Sequence, residues 1–284
     1  MAGNLKSVLR VNRATLVPGV YDGFTARLAA SAGFELVYMT GAGVAAAHGY
    51  PDFGLVTLDE MRMSAAIIAR ASQRPVIADA DTGFGNALNV VRTVHEYESA
   101  GVSALHIEDQ VFPKRCGHMS GKEIVPREEF LGKIATAAHV RSDADFAIIA
   151  RTDARAVAGM DEAVSRANAA LDAGADMAFV EAVETLDEMA LVPAAVRGPC
   201  VLNIVPGGRT PIVSFEQASA MGYRLVLHPG ACLFPVMTAL EDELSRLRES
   251  RASYAPRQRQ PGALFDLMGA AEWDALRASA EDMA

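Results

Sequence analysis

The chain has 284 residues, 51% of them hydrophobic, and a formal net charge of −9 at pH 7, enough apolar material to bury a large core. The acidic balance argues against nucleic acid as a partner, no apolar run reaches the roughly 20 residues that span a membrane, and residues 1–13 lack the apolar centre of a signal peptide. Cys116, Cys200 and Cys232 are too widely spaced for a disulfide framework or a zinc pattern, so the expectation is a cytoplasmic protein with reduced thiols.

Apolar runs alternate with Ala-rich amphipathic runs along most of the length. In chain order the expected strands are residues 16–21, 36–40, 75–80, 104–108, 146–151, 177–181, 200–204 and 225–228. Between them lie expected helices at 23–32, 58–71, 87–100, 127–140, 161–173, 186–196 and 215–221, with 233–248 after the last strand. The strands are short and almost wholly apolar, as suits strands covered on both faces of a parallel sheet. Eight strand–helix units predict a (β/α)₈ barrel of the TIM type over residues 1–250, with a doubly wound open sheet as the alternative. Residues 251–262 are rich in Arg, Gln and Pro and read as a linker; residues 263–283 read as one further amphipathic helix, so 251–284 form a helical extension.

A barrel places its chemistry at the carboxyl ends of its strands. Those ends carry Asp22, Thr40, Asp79 with Asp81, Glu108 with Asp109, Arg151 with Asp153, Glu181, Asn203 and His228. Asp, Asn and Thr there also serve as helix caps, whereas Glu108, Arg151 and Glu181 do not. Asp79, Asp81 and Glu108 put three carboxylates at neighbouring strand ends, which repel unless a cation lies among them. All-oxygen ligation suits Mg²⁺ or Mn²⁺ rather than zinc. Arg151 offers a planar fork for a substrate carboxylate, or an ion pair with Glu181 or Asp153. Asn203 and Thr210 can hydrogen-bond a second carboxylate.

After Glu108-Asp109 comes a loop holding Lys114, Arg115, Cys116, Gly117, His118, Gly121 and Lys122. Such a loop can close over an anionic substrate. The neighbouring cation Arg115 and the nearby His118 are expected to lower the Cys116 pKa, and a thiol near its pKa serves as general acid or base; a covalent nucleophile is the competing role. Cys200 and Cys232 read as core filler, and His48, His95, His106 and His139, having no clustered partners, as structural.

The motifs Asp79-Ala-Asp-Thr-Gly-Phe-Gly85, Glu108-Asp-Gln110, Lys114-Arg-Cys-Gly-His118 and Ala150-Arg-Thr-Asp-Ala154 together resemble the isocitrate lyase and phosphoenolpyruvate mutase superfamily, in particular its short lyases. The resemblance implies a barrel, usually tetrameric, with its eighth helix exchanged between subunits, Mg²⁺ and an α-keto acid at the strand ends. By the same resemblance, Thr40-Gly41-Ala42 binds the keto-acid carboxylate through backbone N–H groups with Asp52 nearby. Asp79, Asp81 and Glu108 surround the metal, and Arg151 binds substrate. Cys116 is the acid/base on a gating loop. Beyond the resemblance, His118 and Glu181 join Cys116 and Arg151 as catalytic candidates, and Arg115 and Gly117 are candidate substrate contacts. The superfamily's mutases and oxaloacetate decarboxylases generally lack that cysteine. Where the methylisocitrate lyases read Asn-Ile-Thr-Glu-Phe-Gly, this chain reads Asn203-Ile-Val-Pro-Gly-Gly208, and losing the glutamate at Pro206 points to a substrate smaller or less charged than a tricarboxylate.

The expected activity is Mg²⁺-dependent cleavage of a malate-type 2-hydroxy acid to an α-keto acid and a carboxylate. Oxaloacetate decarboxylation or hydrolysis, or phosphonopyruvate chemistry, is the first alternative and a non-catalytic keto-acid-binding barrel the second.

Overall fold

The computed structural model describes residues 5–6, 13–251 and 260–282. Eight strands, β1 (Thr15–Val20), β2 (Val37–Met39), β3 (Val76–Asp79), β4 (Ala104–Glu108), β5 (Ala147–Thr152), β6 (Met177–Val180), β7 (Cys200–Asn203) and β8 (Leu225–His228), pair in parallel and in sequence order. β8 returns to β1, with Thr15 opposite Leu225 and Pro18 opposite His228, so the sheet is a closed barrel and the open-sheet alternative is excluded. Side chains alternate across each strand. One set, including Val17, Ile77, Ile149, Phe179 and Leu227, fills the barrel, and Leu5 joins this cluster. The other set, including Val76, Ala78 and Ile148, packs against the surrounding helices.

Those helices are α1 (Gly23–Ser31), α2 (Gly41–Ala47), α3 (Leu58–Ser72), α4 (Ala87–Ser99), α5 (Arg127–Val140), α6 (Ala154–Ala158), α7 (Met160–Asp172), α8 (Leu186–Ala195), α9 (Phe215–Met221) and α10 (Leu233–Ser250). Local signals explain their starts: Asp22, Thr57, Asn86 and Ser214 each accept a backbone N–H from the first turn of the helix that follows. Asp22 is therefore a helix cap. The sequence pattern misses α2 and α6, which are short, begin directly at strand ends and, being rich in Ala and Gly, carry no amphipathic period.

α10 buries none of its residues in this chain. The single helix expected over 263–283 is instead two, α11 (Pro261–Leu267) and α12 (Ala270–Asp282). Gly269, at φ +79°, breaks it, since the left-handed region suits glycine and ends helices. α11 rests on α1. Most of the expected linker, 252–259, most of the amino-terminal stretch, and Met283 lie outside the described residues. No helix among the described residues is long and apolar enough to cross a membrane.

Candidate active site

The strand ends and the loop after β4 enclose a cavity of about 280 Å³. Tyr38 and Thr40 reach it from the end of β2, Asp79 from β3, Arg151 from β5, Glu181 from the end of β6 and Asn203 from β7. Cys116, Gly117 and His118 cover it from the loop, and Asp52 and Ala42 stand at one side. The opposite wall is apolar: Val205, Pro229, Gly230 and, from the first turn of α10, Leu233 and Phe234.

Arg151 is the central cation. Its Nε donates to Asp153 Oδ2 at 3.0 Å and lies 3.8 Å from Glu181, its Nη1 is 3.2 Å from Glu108 Oε2, and its guanidinium stacks over Phe179. Glu181 receives His118 Nε2 at 3.0 Å and Asn203 Nδ2 at 3.3 Å. His118 Nδ1 accepts the Arg209 backbone N–H at 3.1 Å, so Nε2 carries the proton that His118 donates to Glu181. Burial would raise the Glu181 pKa, but the Arg151 charge and the His118 hydrogen bond hold it down at about 2. Gly117 is confined by the same pair: a Cβ there would collide with Arg151 Nη2 and stand 2.6 Å from Glu181 Cγ.

The Cys116 thiol departs from expectation. Arg115 is exposed, its backbone bonds Gln110, and it lines a separate groove beside Phe112 and Glu123. Arg115 is thus neither a substrate ligand nor a thiol activator here. Burial pushes the Cys116 pKa up from its ordinary 9.0, a shift the His118 backbone N–H and the Arg151 charge only partly oppose and Asp52 and Glu181 reinforce. Cys116 is a protonated thiol at neutral pH, suited to giving a proton rather than to nucleophilic attack.

Two other loop cations turn inward instead, to structural partners rather than to the thiol. Lys114 is buried, pairing with Asp52 and, at 2.9 Å, with Asp81 Oδ1. Lys122, also buried, bonds Gly117 O and Asp153. The sequence shows both as loop charges but not that they turn inward. It also gives no hint that His106 meets Tyr38 Oη at 2.9 Å beside Asp79, 3.6 Å away. Burial lowers the His106 pKa to about 4, so the ring is neutral, and burial together with the Asp79 charge raises that of Tyr38 well above 10, so Tyr38 keeps its phenolic proton.

The backbone donors expected at Thr40-Gly41-Ala42 are largely spent: Thr40 N–H donates to Val20 O and Gly41 N–H to Asp79 Oδ2 at 3.2 Å. Thr210 is buried with an unpartnered Oγ1 and does not line the cavity. Asp109 and Asp153 belong to the scaffold around Arg151: Asp109 takes Thr152 Oγ1 and the Asp153 N–H at 2.7 Å each and Arg166 at 3.1 Å. Asp81 and Glu108 lie buried behind the cavity wall.

Mg²⁺ is tested by the donors themselves. Both oxygens of Glu108 are buried with no hydrogen-bond donor, and Asp81 Oδ1 has only the misaligned Lys114 ammonium. Burial raises the pKa of Glu108 well above the ordinary value and that of Asp81 to about 6, the signature of carboxylates short of positive charge. Among the described residues, the six carboxyl groups of Asp52, Asp79, Asp81, Glu108, Asp153 and Glu181 gather around the three cations Lys114, Lys122 and Arg151, with His118 beside Glu181. No group of three His, Cys, Asp or Glu side chains among the described residues converges closely enough to enclose an ion without water. Such donors fit a hard cation that keeps part of its water shell.

The family model for phosphoenolpyruvate phosphomutase matches residues 5–248. The chain belongs to the phosphoenolpyruvate mutase/isocitrate lyase superfamily. Among relatives, 2,3-dimethylmalate lyase of Eubacterium barkeri is 46% identical over 87% of this chain and 86% of its own. 2-Methylisocitrate lyase of Aeropyrum pernix is 41% identical over 86% and 79%. Among solved structures, oxaloacetate acetylhydrolase bound to 3,3-difluorooxalacetate superposes with a TM-score of 0.95 at 38% identity, covering 98% of this chain and 96% of that one. Phosphonopyruvate hydrolase in complex with oxalate and Mg²⁺ superposes at 0.87 and 31% identity, covering 96% of each. The superfamily member described here is thus an enzyme whose relatives include both lyases and hydrolases.

Proposed function

We propose that this superfamily member is a Mg²⁺-dependent carbon–carbon lyase that cleaves a malate-type 2-hydroxy acid to an α-keto acid, pyruvate or glyoxylate, and a carboxylate. The observation that carries the reading is Cys116, a thiol kept protonated by burial on the loop that covers the cavity, across from the fixed carboxylate and guanidinium of the strand ends. Cleavage of the C2–C3 bond makes the 2-hydroxyl the keto oxygen, its proton being released to water, and leaves the electron pair on C3 of the departing fragment; a protonated thiol is the group able to quench it, and water restores the proton to the thiolate. By the resemblance, the loop cysteine marks the lyases of the superfamily, whereas its mutases and oxaloacetate decarboxylases generally lack it.

The chain's own residues divide the work. Asp79, Asp81 and Glu108 would hold Mg²⁺, which supplies positive charge beside the 2-oxygen and the keto-acid carboxylate. Arg151 binds a substrate carboxylate while Asp153 and Glu181 fix its plane. Asn203 adds a hydrogen bond, and His118, braced by Arg209, ties the loop to Glu181. The loop excludes water, which strengthens each of these contacts. The wall of Val205, Leu233 and Phe234 offers no partner to a third carboxylate and suits an alkyl substituent, so the substrate is closer to a dimethylmalate than to 2-methylisocitrate. Pro206 is exposed and contributes no polar group there. A homotetramer with exchange of α10 accompanies the reading, supported by the unburied apolar face of that helix.

The test is a panel of malate-type acids incubated with Mg²⁺ and assayed for pyruvate and glyoxylate, with chelated enzyme as control. The likeness to oxaloacetate acetylhydrolase favours a second reading, oxaloacetate hydrolysis. Consumption of oxaloacetate without cleavage of any hydroxy acid would select it.

A further inference from the structure

We propose that Lys122 is a positioning residue that clasps the covering loop to the carboxylate orienting Arg151, and so fixes the Cys116 thiol over the cavity. The inference rests on reading the cavity as the active site.

Lys122 lies on the returning limb of the loop with its side chain 1% exposed. Its Nζ reaches back five residues to the carbonyl of Gly117 at 2.5 Å and across to Asp153 Oδ1 at 2.6 Å. Asp153 is a fixed post: its backbone N–H is held by Asp109, which Thr152 and Arg166 hold in turn. The same carboxylate takes Arg151 through Nε at 3.0 Å and Nη2 at 3.3 Å. One ammonium therefore bonds both the residue next to Cys116 and the partner of the substrate-facing guanidinium. Gly117 can pass close to Arg151 and Glu181 because it lacks a Cβ, and beside the His118–Glu181 contact Lys122 holds its carbonyl there. Without the ammonium, Gly117 O loses its donor, the loop lifts with Cys116 on it, and the full charge of Asp153 falls on Arg151. A buried ion pair that merely stabilised the fold would make no such link between loop and site.

The experiment compares Lys122→Met, Asp153→Asn and the double variant Lys122→Met/Asp153→Asn with wild type. The readouts are kcat and KM, the thermal midpoint, and the rate at which iodoacetamide alkylates Cys116, resolved from Cys200 and Cys232 by peptide mass spectrometry. Lys122→Met is expected to lower kcat about 10²-fold, the scale of an ångström of misplacement. It is also expected to speed Cys116 alkylation about tenfold or more, as the loss of a charge-assisted hydrogen bond allows. Because Lys122→Met leaves Asp153 buried without its ammonium, the double variant restores the thermal midpoint, yet its Cys116 stays fast to alkylate. Asp153→Asn alone leaves an amide oxygen to accept from Lys122, so the clasp on Gly117 is kept and Cys116 stays slow. Alkylation of Cys116 at the wild-type rate in both Lys122 variants, or its return to that rate when the midpoint returns, overturns the proposal. Alkylation needs no substrate, so failure of this inference is distinguishable from failure of the lyase reading.

Discussion

Lys114 Nζ stands 2.9 Å from Asp81 Oδ1, so a cation of the covering loop already occupies one of the carboxylates expected to face the metal. Burial alone would lower the Lys114 pKa, but the charges of Asp81, Glu108, Asp52 and Asp79 raise it, and the ammonium is kept. Two cations beside one carboxylate repel each other, and Lys114 and Mg²⁺ therefore compete for Asp81. In Lys114→Met the carboxylates lose that partner, and breaking a buried pair typically destabilises by about 3–5 kcal/mol. The metal-free variant is expected to melt below wild type, and Mg²⁺ to raise its midpoint further than it raises the wild-type one, since at a given concentration a ligand stabilises the folded state more the tighter it binds. Thermal unfolding in EDTA and in Mg²⁺ gives the comparison. A metal-induced shift no larger than wild type's would show that Lys114 and the ion do not share Asp81.

Gly117→Ala tests whether the loop works in the closed position. The added methyl would collide with Arg151 Nη2 and stand 2.6 Å from Glu181 Cγ, two buried side chains with little freedom to give way. The loop is expected to be displaced while the barrel stays intact. The thermal midpoint should change by no more than a surface substitution does, with kcat falling about 10²-fold. Wild-type kcat in this variant would mean that the loop opens during turnover and that its contact with Arg151 is incidental.

Much of this molecule is legible in its sequence because strands buried on both faces leave an apolar signature that nothing solvated imitates. The strands at 104–108 and 225–228 agree with expectation to the residue, and the others differ by one residue at one or both ends. Asp79, Arg151, Glu181 and Asn203 converge because a closed barrel brings its strand ends together whatever lies between them. Loop side chains are another matter. Lys114 and Arg115 are adjacent in sequence yet point to opposite sides of the loop, and no periodicity separates an inward cation from an outward one. His106 sits between Ala104 and Glu108 on the interior face of its strand, and only the fold brings Tyr38 within hydrogen-bonding reach of it.

The subunit is predicted to associate through α10. Met237, Leu240, Leu244 and Leu247 recur along it at helical spacing and are all more than 40% exposed, a stripe that a stable monomer rarely leaves in water. Light scattering of the wild type is expected to give a mass well above the 30.1 kDa of one chain. Leu240→Asp/Leu244→Asp should reduce it to the monomer. Because Leu233 and Phe234 at the start of the same helix line the cavity, dissociation is expected to raise KM as well. A wild-type monomer at micromolar concentration would contradict the association.

Cys116→Ser is expected to leave the fold and ligand binding in place and to lower kcat by about 10²–10⁴-fold, the usual contribution of a general acid. Pyruvate binding by calorimetry supplies the control, because Asp79, Arg151 and Asn203 stand on rigid strand ends apart from the loop. The pH dependence gives an independent check, and its sign follows from burial. A thiol donates its proton only below its pKa, and burial raises this one above its ordinary 9.0, which widens the range of the acid form upward. The wild-type kcat should therefore hold through neutral pH and lose its Cys116-dependent part only above pH 9.0, and this alkaline limb should be missing from the residual activity of Cys116→Ser. A Cys116-dependent fall between about pH 7 and 8 would mean that cations of the loop hold the thiol down after all, with a thiolate rather than a thiol entering the reaction. Near-wild-type kcat in the serine variant would take Cys116 out of the chemistry and leave the loop a cover.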